Sequence, residues 1–334
     1  MGKLLSEVHH LSGEIKRLTK NSFTATLDQA KPNFVPQAAV TLVSNLPILA
    51  QGDYDQSFAF HEYLSRHPDS PLPMLFPPTQ EPHILEPKNP LRTGETHRRA
   101  VAPGHQDHAL VAAVERALLA PLALPQSVLS LPGMSSALIR QFLNSLASSF
   151  PPSSISYLEI GVYLGSTLVS SATSNENRYT SLVAIDNFAE FDEDGRNHEK
   201  LFANLNSLLH PDVVSRLTFM NQDCWAAAKE LANNKEPVNV YLYDGPHDEH
   251  DHYRALADFY QLMANDFVFI VDDYNQERVQ AGTKRALDSL SGELEVLAEY
   301  ENLSRWNGDL EGWWDGIGVF VLRRRNANEA GGEL

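Results

Sequence analysis

Apolar positions along the chain first recur with a helical rhythm, then lose it, then settle into alternating strand-like and helix-like runs. Near the start, Leu4, Val8, Leu11, Ile15 and Leu18 repeat at spacings of four and three, a heptad seam of little more than two heptads. So short a seam predicts a helix that lies on the main body or pairs in a homo-oligomer. From about 33 to 106 the rhythm dissolves into proline, histidine and charge. Pro71, Pro73, Pro77, Pro78, Pro82, Pro87 and Pro90 each withhold a backbone donor and block a helix, which predicts an extended arm or cap. Helical periodicity returns over 109–119 and 135–148, where Leu138, Ile139, Phe142, Leu143 and Leu146 form one apolar stripe.

After Ser153 the pattern becomes regular. β-rich runs at 155–160, 181–185, 217–220, 238–243 and 267–271 alternate with helix-like stretches at 166–174, 199–209, 225–232 and 253–263. Parallel strands need crossover helices, so this alternation predicts a doubly wound, mostly parallel α/β sheet. Phe267 to Val271 is unbroken apolar sequence, which suits a strand buried on both faces. A helix at 278–290 and strands at 294–300 and 318–322 complete seven strands. The expected organisation is an N-terminal extension at 1–106, a helical lead-in at 107–152, the sheet domain at 153–325 and a tail at 326–334.

Charge narrows the function classes. The 334 residues carry 26 Lys+Arg against 43 Asp+Glu, a formal charge of −17, which disfavours nucleic acid and anionic membranes as partners. One cysteine, Cys224, excludes an internal disulfide and cysteine-built metal sites. The longest apolar run, 117–124, contains Pro121 and falls far short of the ~20 residues that span a bilayer. With no secretory leader pattern the expected compartment is the cytoplasm, although Met1 to Ser6 fits the loose N-myristoylation pattern.

In open sheets of this kind ligands bind beyond the carboxyl ends of the strands. The first strand runs through Glu159-Ile160 into Gly161-Val162-Tyr163-Leu164-Gly165-Ser166, a turn that lets backbone approach a ligand closely. The dinucleotide spacing G-x-G-x-x-G is absent. The second strand ends in Asp186-Asn187, where an acid can accept both hydroxyls of a ribose. The third leads to Asp223-Cys224-Trp225: Asp223 is placed to meet an adenine amino group or to cap a helix, and Trp225 to cover the ring or join the core. The fourth and fifth end in Asp244-Gly245-Pro246-His247 and Asp272-Asp273. Asp244, Asp272 and Asp273 converge on one rim, and converging carboxylates call for a hard divalent cation such as Mg²⁺. His247 stands three residues from Asp244 as a base for a bound hydroxyl. His250 and His252, in an acid-rich run, read as surface residues at a helix start. Trp306, Trp313 and Trp314 form an aromatic loop that lines an acceptor site or covers the sheet edge.

The run from Tyr157 to Thr167, the Asp186-Asn187 strand end, Tyr243-Asp-Gly-Pro-His247 and Val271-Asp-Asp-Tyr274 together resemble the ordered motifs of class I S-adenosylmethionine-dependent methyltransferases. The Asp-Gly-x-His form is similar to that of metal-dependent macrocin-type O-methyltransferases. The resemblance implies that Glu159, Gly161 and Gly165 hold the methionine portion of S-adenosyl-L-methionine, Asp186 the ribose and Asp223 the adenine. Ser166, Asn187, Cys224 and Asp244 complete the cofactor-contacting set. It further implies Mg²⁺ or another divalent cation at Asp244, Asp272 and Asp273, with His247 as base toward a small hydroxylated substrate. The competing readings are a metal-dependent hydroxylase on the same fold and a cofactor-binding scaffold without chemistry.

Overall fold

The computed structural model describes residues 96–232 and 236–325. The heptad seam, most of the proline-rich stretch and the tail from 326 lie outside them. Among the described residues eight strands form one sheet. They are β1 (Thr96–Val101), β2 (Ile155–Ile160), β3 (Tyr179–Ile185), β4 (Leu217–Met220), β5 (Val238–Tyr243), β6 (Met263–Val271), β7 (Leu294–Leu303) and β8 (Ile317–Arg324). The principal helices are α1 (Ala109–Leu118), α2 (Ala137–Ser148), α3 (Ser166–Ala172), α4 (Asn197–Leu208), α5 (Cys224–Leu231), α6 (Glu249–Ala257) and α7 (Glu277–Ser289).

The order across the sheet is β1-β7-β8-β6-β5-β2-β3-β4. Strands β2 to β6 are parallel, while β8, β7 and β1 close one side as antiparallel neighbours. This is a mostly parallel, Rossmann-like arrangement, in which the order of strand addition reverses at β2, between β3 and β5. Every residue of β2 is buried, because helices cover both faces. Successive side chains of β2 enter different cores. Ile155 and Tyr157 pack on the side of α1, α2, α3 and α4, whereas Leu158 and Ile160 pack on the side of α5, α6 and α7.

Seven strands fall where the apolar runs predict them. The eighth, β1, has no apolar run to announce it: Arg98, Arg99 and Ala100 are exposed at the sheet edge. Arg98 lies opposite Glu301 and Arg99 pairs with Glu115, so cross-strand and strand-to-helix charges hold this edge and discourage further strands from adding to it. The helix expected at 253–263 forms instead as α6, because β6 begins at Met263, four residues before its fully apolar stretch. No helix among the described residues is long and apolar enough to cross a membrane.

Candidate active site at the strand ends

Four strands stop at the same level, and the residue after each continues the ladder by one bond. Gly161 N–H donates to Ile185 O (2.9 Å), Asp186 N–H to Met220 O (3.2 Å), Asp244 N–H to Ile160 O (2.9 Å) and Asp272 N–H to Tyr243 O (3.0 Å). The register therefore sets Asp186, Gly161, Asp244 and Asp272 side by side along one rim, about 4.8 Å apart. The rim spans the β2–β5 reversal, where open sheets leave a crevice.

Backbone geometry opens the rim on the β2 side. Gly161 and Gly165 sit at φ +81° and +83°, a region that side chains other than glycine's enter at a cost. A Cβ on Gly161 would lie 1.7 Å from the backbone oxygen of Asp244, so only glycine lets β2 turn beside β5. Gly165 caps α3, and its N–H donates to Val162 O (2.8 Å). Asp186 accepts from Tyr163 N–H (2.7 Å) and Phe188 N–H (2.8 Å), which ties the β3 end to the glycine turn and leaves lone pairs on the same carboxylate. Asn187 is exposed, its side-chain oxygen taken by Ala189 N–H (2.9 Å).

Glu159 departs from the role the resemblance implies. Its carboxyl is fully buried, and both oxygens are engaged, by Tyr157 O–H (2.6 Å) and Thr167 O–H (2.6 Å). It braces the glycine turn from below. Burial pushes its pKa up to about 7, against the lowering effect of those two hydroxyls. In the unfolded chain the group ionises at 4.5, so between 4.5 and about 7 the folded state holds a proton that the unfolded state has released. This contribution to stability is complete below 4.5 and is lost as pH rises through 7. Glu159→Gln is accordingly expected to melt above the wild type at pH 8 and close to it at pH 5, as thermal denaturation will show.

Asp223 takes the capping role: its carboxylate accepts from Trp225 N–H (3.0 Å) and Ala226 N–H (3.1 Å). Trp225 turns into the core, with the Arg254 guanidinium 4.0 Å from its ring centre and Tyr243 and Phe259 beside it. Cys224 is buried, and its pKa is driven up to about 12 by burial and by the charge of Asp223, so it remains an inert thiol.

On the β5–β6 side, Asp244, His247 and Asp273 each present a ligand atom within 4.8 Å of the others. The His247 ring makes a 2.7 Å contact from Nε2 to Asp273 Oδ2. Asp273 reaches it through a left-handed backbone, φ 55°, a strained conformation of the kind that clusters at functional sites. Asp272 is buried beside this trio, and its own Oδ1 accepts from Asp273 N–H (3.0 Å). Burial holds Asp244 and Asp272 well above the ordinary carboxylate range, helped by the charge of Asp273 at Asp244 and by those of Asp244 and Asp273 at Asp272. For His247, burial lowers the pKa, but the hydrogen bond and charge of Asp273, with Asp272 behind it, lift it above 6.5 overall.

Two residues depart from the sequence reading. His252 is a core residue rather than a surface one. Its ring is 1% exposed, lies edge-on to Tyr243 at 5.0 Å, and burial holds its pKa near 3. α7 covers it at Gly282, where a Cβ would stand 2.8 Å from the His252 Cβ. Asp315, absent from the expected set, is buried beside Asp273, accepts from Gln276 Nε2 (3.1 Å) and titrates near 6 through burial and the Asp273 charge. Its signal was topological. β8 runs antiparallel to β6 with Gly318 opposite Val271, so the residues entering β8 must meet the acids leaving β6.

The aromatic loop 304–316 is fixed at both ends by one residue. Asn275 Nδ2 donates to Ser304 O (3.1 Å), its Oδ1 accepts from Ser304 N–H (3.0 Å), and its backbone N–H donates to Asp315 O (2.8 Å). Between these feet Trp313 is buried against Phe142, with ring centres 6.5 Å apart, while Trp306 is 41% exposed under Arg305.

With this geometry in place, comparison with known proteins identifies one domain of the chain. Residues 158–274 match the family described as a methyltransferase domain. The segment 158–274 is accordingly a methyltransferase domain. No curated protein matches the chain. Among solved structures it is similar to a putative O-methyltransferase from Klebsiella pneumoniae (16% identity, 65% of this chain and 90% of that one, TM-score 0.43). It is likewise similar to the O-methyltransferase TomG from Streptomyces achromogenes (16% identity, 65% and 90%, TM-score 0.41). A third is an O-methyltransferase from Bacillus cereus (13% identity, 66% and 91%, TM-score 0.39). In the methyltransferase domain, the matched segment begins inside β2 and ends just past the Asp272-Asp273 pair, so it contains every strand end that builds the rim. The residues fit S-adenosylmethionine, the cofactor that the motifs imply: Gly161 keeps the β2 turn free of a side chain beside β5, and Asp186 at the adjoining strand end retains acceptor capacity. An oxygen-rich donor set of crowded carboxylates likewise fits a hard divalent cation.

Proposed function

We propose that the chain is a cytoplasmic O-methyltransferase acting on a small hydroxylated metabolite, assisted by a divalent cation such as Mg²⁺, with His247 as general base. The sheet domain 153–325 carries the chemistry and the lead-in 107–152 completes the cofactor site. The observation that carries the reading is the 2.7 Å contact of His247 Nε2 with Asp273, beside Asp244 and at the level of the glycine turn.

When bound, the sulfonium cofactor supplies an electrophilic methyl group, and a divalent cation favours ionisation of a hydroxyl. The work left to the protein is alignment and proton removal. Asp273 accepts from His247 Nε2–H, which fixes the tautomer and leaves Nδ1 as the basic atom for an acceptor hydroxyl. Asp273 also stabilises the imidazolium that results. Asp272 holds the turn that presents Asp273. Asp244 and Asp273 are the carboxylates placed to hold a cation, with Asp272 behind them. The charge of −17 supports a small-molecule acceptor over a nucleic acid.

The same trio supports one other role for His247, as a cation ligand in place of a base. The decisive assay is transfer of labelled methyl from S-adenosylmethionine to a panel of hydroxylated metabolites, with and without chelator, beside Mn²⁺ binding followed by electron paramagnetic resonance. Turnover that falls at least tenfold on chelation, with Mn²⁺ still bound by His247→Ala and released by Asp244→Asn, is the expected result. Chelator-insensitive turnover removes the cation from the proposal. Loss of Mn²⁺ in His247→Ala makes that residue a ligand.

A further inference from the structure

Arg140 occupies the middle of α2 with 4% of its surface exposed, and no carboxylate among the described residues pairs with it. Its bonds go to neutral groups. Nε donates to Ser135 Oγ (2.9 Å), and Nη1 reaches the carbonyls of Val128 (3.4 Å), Leu129 (3.2 Å) and Leu131 (3.0 Å). Nη2 has no acceptor among the described residues. Burial lowers the pKa to about 10, and no neighbouring charge offsets that effect, so the group stays protonated at neutral pH. A buried cation without an anion is an expensive arrangement unless something supplies the missing charge.

The groups nearest the unpartnered Nη2 belong to the edge of the glycine turn. Nη2 lies 3.1 Å from the place a Cβ on Gly133 would occupy, and the same Cβ would stand 2.1 Å from Ser166 Oγ. Ser166 follows Gly165 directly and opens α3, and its hydroxyl is 3.5 Å from that of Ser135. The strap 133–135 of the lead-in thus passes over the glycine turn, and glycine at its crossing point brings a guanidinium and two hydroxyls to the turn's edge. The candidate acceptor groups His247 and Asp273 belong to other strand ends, beyond β5 and β6.

We propose that Arg140, with Ser135 and Ser166, forms a carboxylate-recognition site for the α-carboxylate of the methionine portion of the cofactor. This rests on the cofactor reading above and adds to it a site built by the lead-in, outside the matched methyltransferase segment. A guanidinium supplies paired, charge-assisted hydrogen bonds to a carboxylate, and a buried one does so without competition from water.

The test is calorimetry on the full chain with two ligands. S-adenosylhomocysteine carries the α-carboxylate, whereas 5′-methylthioadenosine has the same nucleoside thioether without the amino-acid portion. In Arg140→Met, affinity for S-adenosylhomocysteine is expected to fall about tenfold or more while that for methylthioadenosine stays within about twofold, the difference reflecting a charged hydrogen bond. Arg140→Lys is expected to recover part of the discrimination. An equal fall for both ligands, or no fall for either, overturns the assignment. So does an unchanged S-adenosylhomocysteine affinity with selective loss of transfer to hydroxycarboxylic acids, which would give the site to the acceptor. Should Arg140→Met not fold, wild-type protein decides: the α-carboxamide of S-adenosylhomocysteine should bind about tenfold or more weakly than the acid, and equal binding refutes the site. Wild-type protein that binds neither adenosyl ligand sinks the cofactor reading itself, an outcome distinct from the others.

Discussion

Gly161→Ala should abolish measurable binding of S-adenosylhomocysteine and lower the melting temperature by more than about 5 °C. Two costs combine at this position. An L-residue at φ +81° loses roughly 1–2 kcal/mol to its own backbone. The added Cβ would also lie 1.7 Å from a backbone oxygen at the end of β5, which cannot rotate away as a side chain can. The strand ends must part, and the rim separates where the ligand is expected. Two companion variants divide the costs. Gly195→Ala has a comparable φ of +67° with nothing within 4 Å, so it reports the conformational part alone. Gly165→Ala meets only the flexible tip of Leu201 at 2.7 Å and should fall between them. If Gly161→Ala behaves like Gly195→Ala, the contact between β2 and β5 does not govern the rim.

His247→Ala should reduce turnover by about 10² to 10⁴, the range for a positioned general base, while S-adenosylhomocysteine affinity stays within about twofold. The separation follows from placement: the ring is at the β5–β6 end, and the cofactor cradle is at β2 and β3. Asp273→Asn carries a sign that a purely structural role would not produce. Asp273 raises the His247 pKa through its hydrogen bond and charge, so its removal lowers that pKa. With His247 as the proposed base, turnover would need the neutral imidazole, and the rising acid limb of the rate profile should move to lower pH in Asp273→Asn. The variant's maximal rate should fall as well, because the ring loses its orienting partner. A limb that stays in place would separate Asp273 from the base.

Much of the domain could be read from residue order because parallel strands covered on both faces must be apolar nearly throughout. Phe267 to Val271 shows this, and all five of those side chains are buried. The acids at the rim were legible for a related reason: polar residues that end apolar runs mark where strands leave the core. What escaped reading depended on partners distant in sequence. β1 pairs at an edge with solvent on its flank, so Arg98 and Arg99 meet Glu301 and Glu115 without any apolar periodicity. His252 sits among Asp and Glu yet is buried, since Gly282, thirty positions on, lets α7 close over it. Glu159 matched a family position, but whether its carboxyl faces a ligand or its own turn depended on Tyr157 and Thr167. The burial of Arg140 has no signal in the local sequence, because it depends on the packing of α3 against α2.

Asn275 gives the loop from 304 to 316 a property of its own. Both feet are fastened to a single side chain and its backbone, next to Asp273. Within the span Trp306 and Leu310 are exposed, whereas Asp309 and Trp313 are buried and belong to the fold. Exchanges confined to Trp306 and Leu310 are therefore expected to leave the sheet in register, and these two exposed positions are where the loop can be given new chemistry.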